Sequence, residues 1–105
     1  MAQTFDIDVT TQDGTVVARL TGELDLLSST GVVEGLTGAL ASNGVRRLVV
    51  DMSGVTFCDS SGLGALLDVR RAAVDHGVPM VLRDVTRQVA RLLDLADVDG
   101  WLTRE

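Results

Sequence analysis

Two hydroxyls and a carboxylate stand together at Asp59-Ser60-Ser61-Gly62, directly before an apolar stretch whose spacing predicts a helix over about 60–74. The first turn of a helix leaves backbone N–H groups free and carries the positive end of the helix dipole. It therefore favours a polar cap and also tolerates a phosphate. A phosphoserine would add about −1.5 to −2 charges and three acceptor oxygens. The residues alone leave both interpretations open, and their spacing does not separate Ser60 from Ser61.

Other chemistries require groups that this sequence lacks. Nucleophilic serine catalysis needs a nearby base, and the only histidine, His76, lies about one helix length away, roughly 20 Å from the serines. The absence of lysine excludes a Walker phosphate-binding loop and Schiff-base chemistry. One cysteine, Cys58, and one histidine cannot form a standard zinc site. We therefore expect a protein that is not an enzyme and that uses neither a metal nor a cofactor of its own.

The length and the net charge of the chain exclude further classes of protein. The 105 residues suffice for one domain, 1–105, and a hydrophobic content of 46% supports a core built from Val, Leu, Ala and Ile. Fifteen acidic residues against nine arginines give a net charge of −6, which argues against direct nucleic-acid binding. No apolar run approaches the roughly 20 residues that span a bilayer, and the N-terminus lacks the pattern of a signal peptide. The expectation is a soluble, cytoplasmic protein.

Hydrophobic periodicity predicts the element order β-β-α-β-α-β-α, after which Trp101-Leu102 either adds a short final strand or closes the core. Asp13-Gly14 between two alternating segments indicates an antiparallel hairpin, and the helices between the later strands indicate parallel pairing with right-handed crossovers. The predicted fold is α/β, a mixed sheet with an N-terminal antiparallel hairpin and helices packed mainly on one face. The predicted strands are 4–9, 15–21, 45–51 and 78–83, and the predicted helices are 27–42, 60–74 and 87–95.

The ends of these elements carry the more specific expectations. Asp25 is either a solvated loop residue or a cap for the first helix, and the hydroxyl residues of 28–30 are further cap candidates. Leu27 is expected on the buried face of that helix. Residues 52–58 are expected to form a connection that Val55 and Phe57 anchor.

Two segments of the chain closely resemble the motifs of the STAS family, in particular of bacterial anti-sigma factor antagonists. The first is Leu20-Thr21-Gly22-Glu23-Leu24-Asp25, and the second runs from Leu48 through Asp59-Ser60-Ser61-Gly62. The resemblance covers essentially the whole chain and implies a STAS-like fold. It also implies that Ser60, directly after the motif aspartate, is the phosphorylated serine and that Ser61 is not the acceptor.

The resemblance further implies a set of residues around the acceptor. Asp25 would lie near Ser60 in the fold. The implied surroundings and partner interface of the phosphorylation site are Asp25, Asp59, Ser61, Gly62, Leu63 and Gly64. The residues themselves leave two interpretations of Gly62 and Gly64 open: close packing on the sheet, or a surface that a partner backbone can approach.

The mechanism implied by the resemblance is partner switching. An anti-sigma factor of the GHKL serine kinase type holds a sigma factor inactive, and the unphosphorylated antagonist binds that kinase and releases the sigma factor. The kinase ends the complex by phosphorylating the antagonist, and a PP2C-type phosphatase reverses the modification. ATP and metal ions would belong to these partners. The alternative is a STAS interaction module that is not phosphorylated, as in transporters, lipid-trafficking complexes or stress-signalling assemblies.

Overall fold

The computed structural model describes residues 5–105 as one five-stranded sheet and three helices. The strands are β1 (Asp6–Gln12), β2 (Thr15–Leu24), β3 (Arg47–Cys58), β4 (Met80–Arg83) and β5 (Thr103–Arg104). The helices are α1 (Leu26–Leu40), α2 (Ser60–Asp75) and α3 (Arg87–Ala96). Within these described residues, no helix combines the length and the apolar character needed to cross a bilayer.

The strands lie in the sheet in the same order as in the chain, β1-β2-β3-β4-β5. β1 pairs with β2 in an antiparallel hairpin whose turn contains Asp13 and Gly14, and the three other pairings are parallel. Each parallel crossover connection leads to the next strand in the same direction across the sheet. Because such connections are right-handed, the three helices lie on the same face of the sheet. The predicted mixed sheet with an N-terminal antiparallel hairpin is confirmed.

Aliphatic side chains from the sheet and the helices form one core. Val16, Ala18 and Leu20 alternate along β2 and are buried, as the period of two predicted. They share a cluster with Leu36 of α1 and Leu66 of α2. Because few aromatic rings are present, the core depends on close packing of small side chains between the layers.

The predicted connection at 52–58 is wrong, because β3 continues through Cys58 beside a β2 that continues to Leu24. The small and polar residues of this segment are typical of a loop, but here they lie in a strand. The pairing between β2 and β3 is irregular and contains two register shifts. Gly54 explains one of them, since a Cβ there would lie 2.9 Å from the carbonyl oxygen of Leu20. Val55 is buried as expected, whereas Phe57 is 46% exposed and anchors nothing.

The start of α1 also differs from the prediction. The helix begins at Leu26, and its cap is Asp25 rather than a hydroxyl residue of 28–30. Val32 and Leu36 are buried, but Leu27 is 90% exposed. Val32 follows Leu27 by five positions. In a helix with 3.6 residues per turn, this spacing places Leu27 outside the buried face that contains Val32.

The face of the sheet opposite this core carries a row of charges. Asp51, in the middle of β3, is 4% exposed and lies between Arg19 of β2 and Arg83 of β4 in the strand register. Its Oδ2 is 3.4 Å from Nε of Arg19 and 3.9 Å from an amino nitrogen of Arg83, and its Oδ1 accepts a 2.9 Å hydrogen bond from the Ser53 N–H. Burial raises the pKa of Asp51, but the hydrogen bonds from Ser53 and the charge of Arg19 outweigh burial and lower it overall.

We expect Asp51→Asn to lower the free energy of unfolding by about 1–3 kcal/mol at pH 7, because a buried, charge-assisted hydrogen-bonding group is lost. The pKa of Asp51 is lower in the folded protein than its ordinary value of 3.8, so the ionised carboxylate stabilises the fold at pH values above 3.8. This stabilisation is lost as the pH falls through the lowered pKa of the folded protein. The difference from the unsubstituted protein should therefore shrink below about pH 3.8, as measured by urea unfolding.

The matched control is Asp8→Asn on the exposed hairpin strand, where Asp8 faces Arg19 across the ladder. This change should alter stability by less than about 0.5 kcal/mol. Equal losses at both positions would contradict a special role for Asp51.

Candidate functional site

The carboxyl ends of β2 and β3 lie side by side, and helices α1 and α2 both begin there. Leu24 at the end of β2 is the register partner of Cys58 at the end of β3. An aspartate follows each of them, Asp25 and Asp59, and each is the N-cap of the next helix. Two helix starts with acidic caps therefore occupy one edge of the sheet.

Asp59 fixes the beginning of α2 through backbone and side-chain hydrogen bonds. Its Oδ1 accepts a bond of 2.9 Å from the N–H of Gly62, and its carbonyl oxygen accepts one of 2.9 Å from Leu63. Its own N–H donates to the carbonyl oxygen of Leu24 at 3.2 Å. The cap therefore belongs to the helix and is also attached to the neighbouring strand, so the residue that follows it, Ser60, has a fixed backbone position.

Asp25 forms a reciprocal capping box with Ser28. The carboxylate of Asp25 accepts from the N–H groups of Leu27 at 3.0 Å and Ser28 at 3.3 Å, and the Ser28 hydroxyl accepts from the Asp25 N–H at 3.0 Å. The same hydroxyl donates to the carbonyl oxygen of Glu23 at 2.8 Å. The interpretation of Asp25 as a helix cap is confirmed, and its carboxylate lies at the same sheet edge as the start of α2.

The two serines have different surroundings. Ser60, the first residue of α2, is exposed, whereas Ser61 is partly buried. Ser61 and Gly64 line a cleft of about 440 Å³ between the two helices, with Ser29 and Thr30 of α1 on the opposite wall. Ser60 thus lies on the accessible surface of this edge, and Ser61 faces the cleft.

Gly62 and Gly64 have separate roles. A Cβ at Gly62 would stand against the carbonyl oxygen of Leu24 and 2.8 Å from Cγ of that residue, so α2 can approach β2 only with glycine there. A Cβ at Gly64 would meet nothing within 4 Å. Leu63 is 8% exposed and packs in the core. Of these three residues, Gly62 and Leu63 are buried and position the helix, whereas Gly64 lies partly on the accessible surface.

Cys58 lies next to the cap but is not poised as a nucleophile. Burial, followed by the charge of Asp59, raises the pKa of the Cys58 thiol to about 11. The thiol also contacts the carbonyl oxygen of Asp59 at 3.5 Å. Reactive cysteines have lowered pKa values because the thiolate is the nucleophile, so this neutral thiol is a packing group.

Sequence reasoning missed the apolar side chains that this edge exposes. Leu26 is 72% exposed, Leu27 is 90% exposed and Phe57 is 46% exposed. Leu27 could have been recognised from its position off the helix stripe, as described above. No comparable signal distinguishes Phe57, because the irregular pairing that turns it outward is a tertiary feature.

The geometry is that of an α/β domain with an exposed serine in the first turn of a helix that an aspartate caps. Within residues 5–105, no three His, Cys, Asp or Glu side chains are grouped to hold a metal ion. His76 is the C-cap of α2, at the opposite end of that helix from the serines.

This chain belongs to the STAS domain family, whose model matches residues 6–104. An anti-sigma F factor antagonist of Paenibacillus polymyxa is 32% identical over 92 residues, which make up 88% of this chain and 79% of that protein. An anti-sigma-B factor antagonist of Staphylococcus aureus is 28% identical over 91 residues, 87% of this chain and 83% of that protein.

The fold also matches solved structures of the anti-sigma factor antagonist SpoIIAA at 22% identity. Its unphosphorylated form gives a TM-score of 0.78 over 97% of this chain and 88% of that chain. The phosphorylated form of the Bacillus protein gives 0.71 over 97% of this chain and 91% of that chain. At this identity, the likeness concerns the fold.

The two glycines provide a matched test of how α2 is seated. We expect Gly62→Ala to lower stability by about 1–3 kcal/mol, because the new methyl group meets the backbone of Leu24 and displaces the helix start. Gly64→Ala should raise stability by up to about 1 kcal/mol, because alanine favours the helix and the space is open. Urea unfolding measures both, and equal effects of the two changes would contradict the close approach at Gly62.

Proposed function

We propose that this chain is an anti-sigma factor antagonist whose binding to its anti-sigma factor is switched off by phosphorylation of Ser60. The observation that carries the proposal is the exposed Ser60 at a helix start that Asp59 holds in place. The names of the two curated relatives support the antagonist role. The phosphorylated form of the structural relative SpoIIAA supports a switch by modification.

The surface around Ser60 suits a protein partner. Leu26, Leu27 and Phe57 expose apolar area at the same edge of the sheet, and such area provides binding energy when a partner covers it. Asp25 and Asp59 add carboxylates at the two helix starts. The unphosphorylated site thus combines apolar contact area with two fixed negative charges.

Phosphorylation would change this surface without unfolding it. The start of α2 can accommodate a phosphate, since its dipole and free N–H groups favour an anion. The added charge would stand beside the existing carboxylates and introduce bulk into the contact area. Phosphorylation then acts as an electrostatic and steric block at an existing interface.

The reaction itself would take place on the partners. An anti-sigma factor of the GHKL kinase type would supply ATP and its metal ion and transfer the γ-phosphoryl group to Oγ of Ser60, releasing ADP. A PP2C-type phosphatase would hydrolyse the phosphoserine. This chain contributes the acceptor hydroxyl and the docking surface, so we assign it no catalytic activity. We place its action in the cytoplasm, where the transcription machinery is.

Three substitutions test the acceptor assignment with the cognate anti-sigma kinase. Ser60→Ala should abolish phosphate incorporation, measured by intact-protein mass spectrometry, while retaining binding. Ser61→Ala is the matched control and should still be phosphorylated. Ser60→Asp should bind at least about tenfold more weakly, because a fixed charge is placed among carboxylates. Stoichiometric phosphorylation of Ser60→Ala would refute the assignment and favour a STAS interaction module that is not regulated at this residue.

Phosphorylation should leave the fold unchanged. We expect amide NMR shifts to change mainly within residues 55–66 and at the adjacent start of α1, because Asp59 attaches this edge to the strand. Shift changes spread over the hairpin and α3 would indicate refolding and contradict a local block.

A further inference from the structure

The only tryptophan of the chain lies exposed at the end of α2 that is remote from Ser60. Trp101 is 58% exposed and stands between two shallow cavities of about 330 and 230 Å³. Both cavities are lined by Arg70, Val74 and Trp101, and the larger one also by Leu67 and Arg71. We call these five residues the Trp101 surface.

This surface combines exposed apolar area with two arginines of α2. Val74 is 55% exposed beside the indole. The Arg70 guanidinium lies 5.0 Å from the centroid of the Trp101 ring, within the distance of a cation–π interaction. Neither Arg70 nor Arg71 forms a salt bridge within residues 5–105. Asp68 and Asp75 flank Arg71 at helical spacing, whereas no carboxylate stands three or four residues from Arg70 on α2. Arg70 therefore carries most of the positive charge that a partner would meet beside Trp101.

The Trp101 surface is separate from the phosphorylation site proposed above. Arg70 and Val74 follow Ser60 by ten and fourteen residues in one continuous helix. At 1.5 Å per residue, the separation along the helix axis is about 15–21 Å. A partner seated at Trp101 therefore need not cover Ser60.

We propose that the Trp101 surface docks an acidic segment of a partner protein, whose aliphatic side chains lie against Trp101 and Val74 while its carboxylates pair with Arg70 and Arg71. Guanidiniums pair best with carboxylates, so Arg70 and Arg71 favour an acidic occupant, and tryptophan and arginine are both enriched at interface hot spots. Asp97 lines the α3 side of the larger cavity, so the arginines of that lining lie on its α2 side.

Two other occupants fit less well. A second copy of this chain, related by a two-fold axis through the surface, would bring the arginines of both copies together. Nucleic acid would meet only two cations on a chain of net charge −6. These alternatives are separate outcomes of the test.

The test uses the full chain and a synthetic peptide of about twelve residues in which leucines are separated by glutamates. Trp101 is the only tryptophan and no tyrosine is present, so its fluorescence reports on this surface alone. We expect saturable binding with a blue-shifted emission, together with NMR shifts of the Trp101 indole and the end of α2. A peptide with glutamine in place of glutamate should bind about tenfold more weakly, because it lacks the charges.

The matched variants each remove two exposed or partly exposed arginines. Arg70→Ala/Arg71→Ala should weaken binding about fivefold to tenfold, whereas Arg87→Ala/Arg91→Ala on α3 should not. Thermal unfolding confirms that each variant is folded. Ser60→Asp should bind the peptide as the unsubstituted protein does, so a failed acceptor assignment at Ser60 leaves this test intact.

Four outcomes of the binding experiments would overturn the proposal. They are absence of saturable binding, equal affinity for the glutamine peptide, equal losses in both double variants, and an equal response to a single-stranded oligonucleotide. A dimer in analytical ultracentrifugation that Arg70→Ala/Arg71→Ala dissociates would also overturn it, since the surface would then bind a second copy.

Discussion

The contact between the backbone of α2 and the last residue of β2 is the constraint on which the site depends. The carbonyl oxygen of Leu24 accepts the N–H of Asp59 and also faces Gly62, where a Cβ would collide with it. Because Leu24 is paired in register with Cys58, the end of the sheet and the start of the helix fix each other. A small shift at Gly62 would move the cap, the first turn and the exposed hydroxyl of Ser60 together.

This rigidity bears on what a modification can do. A serine in a mobile loop can order or melt its segment when it gains a phosphate. At Ser60, the backbone is already held by the Asp59 cap and by the strand bond to Leu24, so little conformational freedom remains to be changed. The free energy of an added phosphate then acts mainly on whatever approaches the surface.

The sequence carried enough information for the fold class and for the location of the site, because both depend on local patterns. Alternation in the hairpin, the Asp13-Gly14 turn and the polar start of α2 are signals within a few residues of one another. The course of β3 beyond Asp51 depends instead on the extended β2 beside it, so Met52–Cys58 resembled a loop. The preference for Ser60 over Ser61 came from family resemblance, and their different burial is a consequence of helix packing that spacing does not encode.

Helix α2 carries Ser60 at one end and contributes Arg70 and Val74 to the Trp101 surface near the other. A charge placed at Ser60 lies about 15–21 Å along the helix axis from Arg70 and Val74, roughly twice the Debye length of about 8 Å at physiological ionic strength. Screening therefore removes most of the direct electrostatic effect between the two ends. The close contact at Gly62 also leaves α2 no room to move nearer to Leu24. Binding at the two proposed sites should then be nearly additive, so a phosphate on Ser60 should leave the affinity of the Trp101 surface unchanged.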